Sequence, residues 1–185
     1  SLPDTAPGLP ALSVCGACLW QPPPFAAIHV AYAYAAPIDW LVRRLKFQRD
    51  LAAGRLLGEL MARELAPRVA GADSIVAVPL HRRRLVERGY NQSAELARPL
   101  ARALGVPMVS HALDRTRATV AQMDLPAHRR GVNVRGCFSA PAAMAGRDII
   151  VVDDVVTTAA TVREAARRLM AAGTERVTVV AAARA

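Results

Sequence analysis

Two adjacent carboxylates, Asp153 and Asp154, follow the apolar run Ile149, Ile150, Val151 and Val152 and precede a small, hydroxyl-rich stretch, Thr157, Thr158, Ala159, Ala160 and Thr161. A short run of branched apolar residues is the pattern of a strand buried on both faces of a parallel sheet. In open α/β sheets, ligands bind in the crevice beyond the carboxyl ends of the strands, and both acids would face it. Residues as small as those at 157–161 let backbone N–H groups close on an anion at a helix start, with three threonine hydroxyls as further donors. Carboxylates for hydroxyls and amides for phosphate together describe a site for a ribose 5-phosphate. An acidic pair at a strand end is also the pattern of a structural or metal-binding pair, but the Thr-rich helix entry fits only the sugar phosphate.

The elements that must position this stretch are legible as periodicities. An apolar strand is expected over 28–34, and Ile38, Leu41, Val42 and Leu45, then Leu56, Leu57, Leu60, Met61 and Leu65, recur at helical spacing. A strand over 74–78 runs into Pro79, Leu80, His81 and three arginines, Arg82, Arg83 and Arg84. A helix is expected from the N-cap Asn91, with Glu95 near its positive end and Gly105 as its stop. Pro99 falls inside it and predicts a kink or a later start, since proline costs roughly 3 kcal/mol in a helix interior. A strand over 106–113, a long polar loop over 114–135 and a strand over 136–140 follow. The last helix carries Val162, Ala165, Ala166, Leu169 and Met170 on one face and ends at Gly173, before a final strand over 177–183. Strands alternating with helices imply an open, twisted, mainly parallel sheet flanked by helices. A loop as long as 114–135 inside a compact domain is typically an active-site lid or a disordered segment.

The chain has 185 residues, 53% of them hydrophobic, enough for one α/β domain with a sizeable core and a small appendage. The boundary is expected near residue 25: 1–25 is Pro-rich, and 26–185 is the α/β domain. No apolar stretch approaches the roughly 20 residues of a membrane helix, and no signal peptide is visible, so a cytoplasmic location is expected. The formal charge is +9, from 24 Lys plus Arg against 15 Asp plus Glu, nearly all of the bases being arginine. Such an excess suits a polyphosphate substrate, a nucleic acid, or a genome that favours Arg codons. Only 4% of residues are aromatic, which argues against a stacking platform for single strands. Cys15 and Cys18 have a Cys-x-x-Cys spacing, half of the four thiolates a structural zinc usually takes, and Cys137 is remote from them in sequence.

The stretch from the apolar run through Thr161 resembles the phosphoribosyl pyrophosphate signature of type I phosphoribosyltransferases. The resemblance implies that Asp153 and Asp154 hold the ribose hydroxyls and act in catalysis. It also implies that the loop from Val155 and Val156 through Thr161 binds the 5-phosphate. That family most often has Gly where this chain has Ala159, so a turn needing positive φ would be strained there. Val78 to Leu85, Arg88-Gly89-Tyr90-Asn91-Gln92, Leu45-Lys46-Phe47 and Asn133-Val134-Arg135-Gly136 are similar to ComF-type competence proteins. The likeness to that branch implies a phosphoribosyltransferase-like domain after a zinc finger of two Cys-x-x-Cys pairs. Cys15 and Cys18 match the second pair, and Zn²⁺ is expected only if the finger is completed outside this chain.

By the same resemblance the turn after Val78 is the pyrophosphate loop, with Pro79, Leu80, His81 and Arg82 at the diphosphate. Arg115, Arg129 and Arg130 are candidates to cover it from the lid. At least one arginine of 82–84 is expected to be simply solvated. Phosphoribosyl pyrophosphate or a nucleotide is the implied ligand, with Mg²⁺ bridging the diphosphate and ribose oxygens, and transfer of ribose 5-phosphate to or from a nitrogenous base is the implied reaction. The rival readings are a non-catalytic module binding single-stranded DNA or competence proteins, and a nucleotide-sensing regulator. The residues leave the acceptor base and a homo-oligomer open.

Overall fold

The computed structural model describes residues 20, 22–119, 126, 132–141 and 144–185. Cys15 and Cys18, most of the 1–25 appendage, Arg129 and Arg130 lie outside the described residues. Four strands, β1 (Ala27–Ala33), β2 (Ser74–Ala77), β5 (Asp148–Val156) and β6 (Arg176–Arg184), form one sheet in the order β1-β6-β5-β2, and every pairing is parallel. This is the open parallel sheet expected from the alternation of strands and helices. Among the described residues no helix is long and apolar enough to cross a membrane.

The apolar run of β5 is buried on both faces, as its continuous hydrophobicity requires. Ile150 and Val152 face one core with helices α1 (Ile38–Phe47), α2 (Leu51–Leu65) and α4 (Gln92–Leu104); Ile149 and Val151 face the other, with α5 (Ala160–Ala171). α1 buries Ile38, Leu41, Val42 and Leu45, and its basic Arg44 and Lys46 fall in the last turn, where the helix dipole favours cations. Asp50 caps α2 by accepting from Ala53 N at 2.9 Å. Asn91 caps α4, accepting from Ser93 N at 3.1 Å, and Gly105, at φ 68°, closes it.

Three expectations are corrected. Residues 106–113 are not a strand. Met108 makes one isolated parallel bridge to Ile75, through Ile75 N to Pro107 O and Val109 N to Ile75 O, each 2.9 Å, and Pro107, lacking an N–H, cannot extend the ladder. The extended residues lie further on: β3 (Asp114–Arg115) and β4 (Phe138–Ser139) pair antiparallel as a separate ribbon, so the 136–140 strand shrinks to two residues. The basic run after His81 is a short helix, α3 (Arg82–Arg88), instead of a bare turn.

The later start offered for Pro99 does not occur: the helix starts at Gln92 and holds Pro99 buried inside it. Tertiary packing offsets its local cost. A Cβ on Gly58 of α2 would stand 2.9 Å from Pro99 Cγ and 3.3 Å from Leu96 Cα, so the glycine is what lets the two helices approach. Gly58→Ala is therefore expected to destabilise the fold by about 1 to 2 kcal/mol, overpacking outweighing the roughly 1 kcal/mol gained by replacing a helical glycine. Urea unfolding reads this directly, and an unchanged or higher midpoint would refute the close approach.

Candidate functional site

The carboxyl ends of the sheet strands open onto one cavity of about 370 Å³. β2 pairs with β5 only as far as Ala77 opposite Val152, so Asp153 and Asp154 lie just beyond the end of that neighbour, while pairing to β6 continues to Val156. The acids are thus still in strand β5, held rigidly by one neighbour and uncovered on the side of the other. Asp153, Asp154, Val155, Val156, Thr157, Thr158, Ala159, Ala160 and Thr161 all line the cavity.

The turn from strand to helix has the geometry its composition foretold. Ala159 is the N-cap of α5 at φ 58°, ψ 11°, the left-handed region, and makes no side-chain cap. An L-residue with a Cβ pays about 1 kcal/mol or more there. Ala159→Gly is expected to stabilise the protein by about 0.5 to 1 kcal/mol, the relief of strain exceeding the added freedom of the unfolded chain. A thermal melt that falls instead of rising would contradict the strained turn.

The acidic pair is asymmetric. Asp153 Oδ1 accepts from Ser93 Oγ at 3.2 Å and from Asp154 N at 2.9 Å. Asp154 Oδ1 accepts from Val155 N at 2.6 Å, and its Oδ2 lies 3.0 Å from Lys46 Nζ at the end of α1. Burial, reinforced by the neighbouring charge of Asp154, pushes the Asp153 carboxyl up to about 6, against the downward pull of Lys46, the Asp154 amide and Ser93. For Lys46, burial acts to lower the ammonium's pKa, but Asp154, Asp153 and Tyr34 together outweigh it and the value ends above its ordinary one.

Leu80, Arg84, Arg88 and Arg115 line the same cavity. Arg115 is carried by the β3–β4 ribbon, its guanidinium 5.4 Å from the Phe138 ring centre, and its buried Nε meets no hydrogen-bond partner among the described residues. Burial lowers its pKa, and the like charge of Arg84 adds to that. Two guanidiniums lining one cavity, close enough for the charge of one to lower the pKa of the other, suit an anion. Of the residues expected at the diphosphate, Leu80 lines the cavity; Pro79, His81 and Arg82 are not among the lining residues. His81 caps α3, its Nδ1 accepting from Arg83 N at 3.3 Å.

The segment Tyr90 to Ser93 braces the site from several sides. Asn91 Nδ2 donates to Val78 O at 3.0 Å at the end of β2, Tyr90 OH donates to Leu45 O beside Lys46, Gln92 is buried against the cavity, and Ser93 holds Asp153. Lys46, Ser93 and Arg84 are functional candidates that sequence reading passed over as individuals. Buried Glu164 of α5 accepts from Gly136 N at 2.7 Å and pairs with Arg167 and Arg168, tying the residues before the ribbon strand β4 to the helix that follows the 157–159 turn. Burial acts to raise the Glu164 carboxyl's pKa, but Arg167, the Gly136 amide and Arg168 outweigh it and hold it below its ordinary value.

Comparison with known proteins adds sequence context to this geometry. The phosphoribosyl transferase domain family matches residues 90–185. The DNA utilization protein YhgH of Escherichia coli K12 is 40% identical over 183 residues, 96% of this chain and 79% of that protein. Competence protein F of Haemophilus influenzae is 33% identical over 181 residues, 92% and 78% of the two chains. Among solved structures, a glutamine phosphoribosylpyrophosphate amidotransferase of B. subtilis, complexed with ADP and GMP, is similar with a TM-score of 0.50 and 26% identity. That likeness covers 71% of this chain, which spans 26% of the amidotransferase.

Proposed function

Since the chain belongs to the phosphoribosyl transferase domain family, beside relatives named for competence and DNA utilization, we propose that its cavity binds phosphoribosyl pyrophosphate with Mg²⁺ and transfers ribose 5-phosphate to or from a nitrogenous base. The observation that carries this reading is the convergence, in one cavity, of an acidic pair, a left-handed turn of small residues at a helix start, and the arginines Arg84, Arg88 and Arg115.

In this mechanism the 157–161 turn holds the 5-phosphate through backbone amides and hydroxyls. The Asp153 and Asp154 carboxylates orient the ribose hydroxyls and stabilise the positive charge that builds on the ring as the bond from C1 to diphosphate loosens. Arg84, Arg88 and Arg115 neutralise the leaving diphosphate. Among the described residues no cluster of three or more metal-ligating side chains occurs. Two carboxylates beside a diphosphate suit Mg²⁺, which keeps its waters and binds chiefly through substrate phosphates. Asp153 and Asp154 would hold it, and the ion would supply charge neutralisation at the leaving group. Zn²⁺ enters this reading only through a second cysteine pair completing Cys15 and Cys18 from outside this chain.

Calorimetric titration with phosphoribosyl pyrophosphate and Mg²⁺, followed by a screen of purine and pyrimidine bases for pyrophosphate release, tests both parts. Absence of heat and of a thermal shift would refute the ligand; binding without release on any base would leave a nucleotide-sensing regulator. A second reading is a DNA-binding module of the transformation machinery, favoured by the formal charge of +9. It requires binding to single-stranded DNA that weakens steeply with salt and is lost when Arg82, Arg83 and Arg84 are replaced but not when Asp153 is.

A further inference from the structure

The cation that meets the acidic pair comes from α1, outside the segment matched by the family: Lys46, whose side chain is 22% exposed against 12% for Asp154. It is the only lysine in a chain with 24 basic residues, all the others being arginine. Its backbone is fixed with care. Tyr90 OH holds the carbonyl of the preceding Leu45, and Gly54 makes room for the Leu45 side chain, since a Cβ there would stand 2.5 Å from Leu45 Cδ1. An ammonium is a compact point charge that neutralises one carboxylate, whereas a planar guanidinium reaches across two. Where every other basic position is arginine, the one lysine stands at the place where that difference counts.

The two carboxylates are consequently unequal. Asp154 has both oxygens engaged, one by Val155 N and one by Lys46. Asp153 has Oδ1 engaged by Ser93 and Asp154 N, and among the described residues no donor meets its Oδ2. We propose, resting on the reading of this cavity as a ribose-phosphate site, that Lys46 neutralises Asp154 so that Asp153 captures the ribose hydroxyls without a metal ion. The ligand class then widens: ribose 5-phosphate and nucleoside 5′-monophosphates, which bring no diphosphate and hence no Mg²⁺, bind metal-free. Lys46 is a positioning residue in this scheme, acting through the charge of the pair.

The test is calorimetric titration of ribose 5-phosphate into the full chain, in EDTA and in Mg²⁺. The wild-type dissociation constants are expected to agree within about twofold between the two buffers, whereas Lys46→Gln should bind at least about tenfold more weakly in EDTA and recover in Mg²⁺, which takes over the missing positive charge. With ¹³C-lysine labelling, the wild-type chain gives a single Cε resonance, expected to shift when ribose 5-phosphate is added. A wild-type chain that needs Mg²⁺ for this ligand, or a resonance that does not move, overturns the proposal whether or not the variant folds. So does a Lys46→Gln variant that binds as wild type in EDTA, or whose loss Mg²⁺ does not repair. Failure of the wild type to bind either ribose 5-phosphate or phosphoribosyl pyrophosphate in both buffers is a different result, and sinks the ribose-phosphate reading itself.

Discussion

Asp153→Asn is expected to yield a protein that is harder to unfold and no longer binds phosphoribosyl pyrophosphate. The two effects have one cause. A carboxyl whose folded pKa is lifted from 3.8 to about 6 is held ionised at neutral pH against the preference of its surroundings. At 1.36 kcal/mol per unit, that is a burden on the order of 2 to 3 kcal/mol, which the neutral amide removes. The same substitution discards the charged acceptor for the ribose hydroxyls, where each charge-assisted hydrogen bond is worth roughly 1.5 to 3 kcal/mol, so affinity should fall about 100-fold or more. A pair of thermal melts, with and without ligand, reads both: a higher melting temperature alone and no shift on addition. An Asn variant that is less stable and binds normally would show that the carboxylate is a structural element of the sheet end.

Ribose 5-phosphate affinity, measured in EDTA to keep metal out and taken relative to Asp153→Asn, which shares the ligand's own phosphate ionisation at about pH 6, is expected to fall about tenfold per unit below pH 6 as Asp153 takes up its proton. The stability of the unliganded protein should respond in the opposite sense. Because the folded pKa of Asp153 lies above the unfolded 3.8, the folded state binds the proton more tightly. The destabilising contribution is then fully present above about pH 6 and relieved progressively as pH falls toward 3.8. Glu164 works against this. Its folded pKa is lowered, so its contribution is present above its unfolded value of 4.5 and is lost as pH falls through the folded one. His29, lowered from its ordinary 6.5 by burial and by Arg68, also loses its contribution as pH falls below 6.5, so the difference between the wild type and Asp153→Asn isolates Asp153 between about 6 and 4.5. An affinity flat across that window, or one that Asp153→Asn leaves unchanged in shape, would remove Asp153 from the ligand.

Much of the site was legible because it is local. The run Ile149 to Val152, the acids and the small turn are contiguous, and each reports its own backbone state: branched apolar residues for a doubly buried strand, small residues for a tight helix entry. The strain at Ala159 was anticipated only through the resemblance to a family that most often has Gly at that position. The basic residues of the cavity were less legible. Three arginines in a row read alike, and only the winding of 82–88 into a helix separates Arg84 and Arg88, which line the cavity, from Arg82, which does not. The 106–113 region misled because its apolar residues, of which Ala112 and Leu113 are buried, pack with a single bridge to the β2 edge and no ladder, a distinction periodicity does not carry.

The amino-acid sequence by itself determined the layered parallel fold, the acidic pair at a strand end and the small-residue turn into a helix, since these depend on hydrophobic period and turn chemistry within a few residues of each other. Only the tertiary structure decided how the charges are divided. Ser93 reaches Asp153 across 60 residues of chain, and Lys46 reaches Asp154 from the first helix, a partner marked in the sequence only by being the lone lysine. Such pairings follow from which strand ends and helix ends the sheet order brings around one cavity. The cost of burying two carboxylates there depends on that arrangement and on no single stretch of residues.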